Sequence, residues 1–110
     1  MGADLLGMLE HCVLLAVIRL GPSDAYGMKI RQALVEALGK DIAIGSVYAT
    51  LDRLEEKGYV SSTSTPPVGR ERAGNARRFF RVQAAGTRAV RECETAISRV
   101  KALQPIGGVS

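Results

Sequence analysis

Seven arginines, Arg70, Arg72, Arg77, Arg78, Arg81, Arg88 and Arg91, fall in one stretch opposed by Glu71 alone. Guanidinium groups are always charged and present several donors in a fixed plane, which suits phosphate and guanine. Just before them, residues 44–60 read IGSVYATLDRLEEKGYV. Small side chains and one arginine stand in its first part, and carboxylates crowd its second. Such a segment can bring Ser46, Tyr48, Ala49, Thr50 and Arg53 close to base edges and thymine methyls. The same pattern predicts that its carboxyl end, with Asp52, Glu55 and Glu56, stays away from phosphates. A helix built this way enters a major groove N-terminus first, which also aims its dipole at the backbone.

The elements that position these groups follow from spacing. Val47, Leu51 and Leu54 repeat at helical intervals and predict a helix from about Ser46 to Lys57, with Gly58 as its stop. Ser46 and Thr50 lie at one margin of that stripe and Tyr48 at the other. Tyr59 to Thr65 reads as a strand, Pro66 to Asn75 as a loop, and Arg77 to Gln83 as the returning strand with Phe80 and Val82 on one face. Upstream, a first helix spans about Asp4 to Leu20 and is apolar almost all round, so it is buried on several sides. Ser23 and Asp24 are candidate caps for a second helix running to Leu38. Asp41 to Ile44 is a connector with room for one strand-like pair. A last helix spans Ala84 to Leu103, where Gly86, Val90, Cys93, Ile97 and Val100 form a coiled-coil-like seam.

The fold class expected is mainly α with a small β wing: a winged helix-turn-helix plus a C-terminal dimerisation helix. Residues 1–83 form the DNA-binding domain with its N-terminal helix, 84–104 the dimerisation helix, and 105–110 a flexible tail. Helix, strand, basic loop and strand, in that order, present a recognition helix and a wing to DNA.

Composition narrows the function classes. A chain of 110 residues has room for one small core, so a second subunit burying more apolar surface is expected. The net charge of +4 favours an anionic partner only weakly; its local concentration says more. Cys12 and Cys93 lack any ligand or CxxC spacing and are expected to be reduced, buried thiols. His11, the lone histidine, falls in the apolar first helix, where a core or interface place is expected. No nucleophile-base pair, metal spacing or phosphate-binding glycine loop is present, so no enzyme activity and no cofactor are expected. The run from Cys12 to Ile18 is far short of the roughly 20 apolar residues that span a bilayer. The N-terminus has no signal-peptide pattern, and a cytoplasmic protein is expected.

These motifs resemble PadR-family transcriptional regulators, in particular the short subgroup with a single C-terminal helix. Gly45 to Gly58, GSVYATLDRLEEKG, is similar to the family's G-x-L-Y-x-x-L-x-R-L-E-x-K-G signature. Asp24 to Ile30 resembles its YG-x-x-I segment, and Arg77 to Val82 its second wing strand. Gln83 stands where the family commonly has threonine, a better helix cap. The wing loop is also long. The resemblance implies a homodimeric winged-helix repressor whose first and last helices pair across a two-fold axis. It also implies that small hydrophobic or phenolic effectors are common among relatives.

The partners expected are therefore double-stranded DNA and a second copy of the chain. The DNA-contacting candidates are Tyr26, Lys29, Ser46, Tyr48, Ala49, Thr50, Arg53, Arg70, Arg72 and Arg77. For Tyr26, core packing competes with backbone contact. Tyr48 either covers the core edge or reaches a phosphate. Arg53 either contacts DNA or pairs with Asp52, Glu55 or Glu56. Arg78 and Arg81 either join the wing clamp or brace the strand. The interface candidates are Leu5, Leu9, Cys12, Val90, Cys93, Ile97 and Val100. A two-fold dimer implies a pseudo-palindromic operator with half-sites about 34–36 Å apart. Neither terminal helix has an aromatic residue, so the interface is expected to be aliphatic, with weak or no response to planar effectors. A winged-helix module that binds protein and never DNA is the alternative; it would not require the arginine cluster.

Overall fold

A computed structural model describes residues 5–65 and 77–105. The elements run α1 (Met8–Leu20), α2 (Gly27–Leu38), α3 (Ile44–Glu56), β1 (Val60–Thr65), β2 (Arg77–Val82) and α4 (Ala84–Lys101). The wing tip with Arg70 and Arg72, and the tail from residue 106, lie outside the described residues.

One core serves the three leading helices and the sheet. Val13, Leu14 and Val17 of α1 meet Ile30 and Leu34 of α2, the Val47, Leu51 and Leu54 stripe of α3, and Val60 and Phe80 of the sheet. Each such side chain contributes about 1.5–3 kcal/mol on full burial. The strands pair antiparallel from Val60 opposite Val82 to Thr65 opposite Arg77. Alternation turns Phe80 inward, where it is fully buried.

Helix starts differ from those the sequence suggests. Helix α1 begins at Met8 rather than near Asp4, because the Gly7 N–H is capped by the Glu10 carboxylate at 3.2 Å. Ser23 and Asp24 do not cap α2. They lie in a turn in which the N–H groups of Asp24 and Ala25 both donate to the Gly21 carbonyl. The next two residues are extended and pair with β2: the Phe80 N–H donates to the Ala25 carbonyl at 2.8 Å, and Tyr26 bridges Phe79. The helix therefore waits until Gly27. The strand-like pair thus forms here and not at Asp41 to Ile44. That connector is held instead by Arg31, which donates to the Ile42 carbonyl and pairs with Asp41 at 2.8 Å. Helix α3 begins at Ile44, two residues before Ser46, without a side-chain cap. Ile44 packs against the core, and that contact draws it into the first turn.

Helix α4 has two unlike halves. Gln83, at its N-cap, makes no capping bond; its amide donates to Ser61 Oγ at 2.9 Å. Gly86 is buried so closely on the Tyr59 carbonyl that a Cβ would overlap it. Val90 joins the core, and Cys93 Sγ accepts from the Leu6 N–H at 3.2 Å. Val90 and Cys93 are therefore covered by their own chain, contrary to their expected place at a dimer interface. Beyond them the seam is bare: Ile97 is 50% exposed, Val100 65% and Leu103 70%. The molecule is elongated, with a radius of gyration of 16.9 Å against about 13 Å for a compact domain of similar size.

Candidate nucleic-acid interface

Helix α3 turns Gly45, Ser46, Ala49, Asp52, Arg53 and Glu56 to solvent, opposite its core stripe. Thr50 is not among them. It is fully buried, and its hydroxyl donates to the Ser46 carbonyl at 2.8 Å. A residue at the margin of an apolar stripe can turn either way. Here the back-bond to the preceding turn satisfies the hydroxyl and lets it go inward, which removes Thr50 from the direct-contact set.

Tyr48, on the opposite flank, lies across Gly27 of α2. Any Cβ at position 27 would overlap its ring. The aromatic face therefore covers the α2–α3 junction, while the residue remains 37% exposed. The hydroxyl end of the ring is among the atoms against Gly27, so of its two expected roles the packing one is the one this contact matches.

The wing is tied to α3 by charge. Arg78 lies on the inward face of β2, over the Phe80 ring at 4.9 Å. It pairs with Asp52 at 3.3 Å and with Glu55 at 2.7 Å. Ser62 of β1 donates to the second Glu55 oxygen at 2.8 Å. One guanidinium thus offsets part of the negative charge of two carboxylates, and it ties the hairpin to the helix. Of the two roles expected for Arg78, bracing is the one it takes. Its partners could be found only by combining the strand alternation with the flank of α3 that carries Asp52 and Glu55.

On the outer face of β2, the Arg77 guanidinium stacks over the Tyr26 ring at 4.3 Å. Tyr26 in turn meets Phe79 edge to face, with centroids 5.4 Å apart. Tyr26 is half-buried and packs, and its packing carries an exposed arginine. Lys29 is half-buried on α2.

Arg53 is paired, but with none of the neighbours that the sequence offered. Its Nε lies 3.5 Å from Glu10 Oε2 of α1, and its Nη2 donates to Thr50 Oγ1 at 3.3 Å. Glu10 also accepts from Lys57 Nζ at 3.2 Å. Burial alone would raise the Glu10 pKa. The Gly7 N–H, then Lys57 and Arg53, outweigh it and hold the carboxyl below its usual value.

A helix pair whose second member is flanked by an antiparallel hairpin, with free small side chains on one and stacked cations on the other, defines a winged helix-turn-helix DNA-binding protein. The sequence pattern of the transcriptional regulator PadR-like family matches residues 14–92, and the chain belongs to that family. It is a transcriptional regulator and not an enzyme.

Solved structures share the fold. A PadR-like transcription factor from Bacteroides fragilis superposes with a TM-score of 0.71 at 26% identity, covering 86% of this chain and 84% of that one. A PadR-like regulator from Bacillus cereus gives 0.67 at 20% identity, covering 86% and 85%. Bacillus subtilis PadR in complex with operator DNA gives 0.64 at 17% identity, covering 94% of this chain and 53% of that one. No curated protein matches the sequence. Among the described residues, no helix is long and apolar enough to cross a membrane.

Proposed function

We propose that the protein is a homodimeric repressor that binds a pseudo-palindromic operator. The N-terminal half of α3 enters the major groove, and the wings clamp the flanking phosphates. The observation that carries the reading is the division of charge around α3. Arg78 offsets part of the negative charge of Asp52 and Glu55, while Ser46 and Ala49 stay exposed at the amino-terminal half of the helix. Arg77, held on Tyr26, and Arg70 and Arg72 of the loop supply the phosphate contacts. The operator complex of the Bacillus subtilis protein, which has the same fold, supports this mode of use.

Dimerisation is assigned to residues 84–104 together with the start of α1. Leu5, Met8, Ile97, Val100 and Leu103 are large, apolar and exposed. Leu9 and Cys12 are half-buried on α1, next to that surface in sequence. The His11 Nε2 atom is also buried without a hydrogen-bond partner among the described residues. Exposed apolar surface of this kind marks an interaction site, and a two-fold axis there presents two recognition helices together.

Sequencing duplexes selected by the purified protein from a random pool tests both parts. The expected product is an inverted repeat with half-sites about 34–36 Å apart, one helical turn. A single unrepeated site would remove the dimeric reading. No retention of any duplex at micromolar protein and low salt would favour a protein-interaction module instead.

A further inference from the structure

Arg53 is more exposed than either group that holds it. Its side chain is 53% exposed, against 13% for Glu10, and Thr50 is fully buried. An arginine has five N–H donors in one plane. Glu10 lies beside Nε and Thr50 accepts from Nη2, so the protein grips the inner edge of that plane. The outer edge, with both Nη1 hydrogens and the second Nη2 hydrogen, meets no hydrogen-bond partner among the described residues. The grip is itself anchored. Glu10 is fixed by the Gly7 N–H and Lys57, and the Thr50 hydroxyl by the Ser46 carbonyl.

We propose that Glu10 is the positioning residue for Arg53, and that Arg53, held by its inner edge, reads a guanine in the major groove. The proposal rests on the DNA-binding reading given above. An arginine fork matches the O6 and N7 acceptors of guanine, and a fixed plane costs less entropy on contact than a free side chain. Phosphate is the poorer target here. Asp52 and Glu56 share the exposed face of α3 with Arg53 and repel an approaching backbone. No other described residue on that face offers a two-donor fork, since Gly45, Ser46 and Ala49 are small. A residue of α1, remote from the DNA-facing surface, thus sets which base α3 prefers.

The test is duplex selection from a random pool with four proteins: wild type, Glu10→Met, Arg53→Lys and Lys57→Gln. Thermal melts establish that each is folded. Methionine keeps the volume of Glu10 and removes its acceptors; lysine keeps the charge of Arg53 and loses the fork. One guanine per half-site in the wild-type product is expected to lose its preference, by roughly tenfold, in both Glu10→Met and Arg53→Lys. Lys57→Gln, which removes one anchor of Glu10 but leaves its carboxylate beside Arg53, is expected to lose clearly less of it than Glu10→Met. The salt slope of binding is expected to stay unchanged in all four. Full preference in Glu10→Met overturns the proposal, and so does equal loss in Lys57→Gln, which would trace the effect to general loosening. Should Glu10→Met fail to fold, Glu10→Gln with its weaker acceptor takes its place, and an unaltered preference there counts equally against it. A wild-type protein that selects no sequence at all refutes the DNA-binding reading itself, an outcome distinct from either.

Discussion

The side of the molecule formed by α3 and the wing and the side formed by the start of α1 and the end of α4 are built on opposite terms. On the first, charged side chains find partners within the chain: Arg78 with Asp52 and Glu55, Arg53 and Lys57 with Glu10, Arg77 on Tyr26. On the second, Met8, Ile97, Val100 and Leu103 present apolar surface to water. The first therefore carries its geometry inside one protomer. The second has surface in excess of what its own fold can cover. The proposed binding of two half-sites would use both: a reader fixed before it meets DNA, and a joint whose partner is another copy.

The largest effect is expected where the second side is broken. Replacing Ile97 with aspartate places a charge in the middle of the bare seam. If the seam is the dimer joint, the cost is about 3 kcal/mol or more, over a hundredfold in dimer affinity. Light scattering should then report monomers, while the melting temperature of each protomer changes little, because Ile97 lies outside the core. An unchanged dimer would separate the exposed strip from assembly. Unfolding of the protomer would mean that the end of α4 is needed for the core after all.

A smaller effect tests the first side. Arg77 is exposed and stacked, and Arg72 lies outside the described residues. Charge reversal at both is expected to weaken binding to selected and random duplexes alike. It should also reduce the slope of log affinity against log salt by roughly 0.9 for each phosphate that is no longer neutralised. Weakening confined to the selected sequence, with an unchanged slope, would assign these arginines to base reading rather than to a clamp.

The two sides were not equally legible in the sequence. The α3 stripe, the glycine that ends it and the inward Phe80 follow from periods of 3.6 and 2, and these local rules held. The start of α2 did not, because it is decided by pairing with β2, far along the chain, which overrides a good capping residue. Thr50 sat at the edge of a stripe, where period alone leaves the direction open. Most instructive is the α4 seam. Its spacing is regular from Gly86 to Val100, yet Val90 and Cys93 face their own chain and Ile97 and Val100 face solvent. Periodicity marks a surface as apolar; it carries no information about what covers it.

The smallest effect concerns the contact at which α1 meets α3. Glu10 is subject to two opposed influences: burial, which favours the neutral acid, and the Gly7 N–H, Lys57 and Arg53, which favour the carboxylate. Because the second set prevails, the folded state holds its proton less tightly than the unfolded chain. The stabilisation is then complete at pH above the ordinary glutamate value of 4.5. It declines as pH falls through that value and through the lower folded pKa. Other paired carboxylates titrate in the same range, so the informative quantity is a difference. Wild type and Glu10→Gln, unfolded by denaturant at several pH values, should differ by a constant amount near neutrality, and by progressively less below pH 4.5. A difference that widens on acidification would show burial to be the stronger influence. Glu10 would then be a poor anchor for Arg53, and the reader would depend on DNA itself to set its geometry.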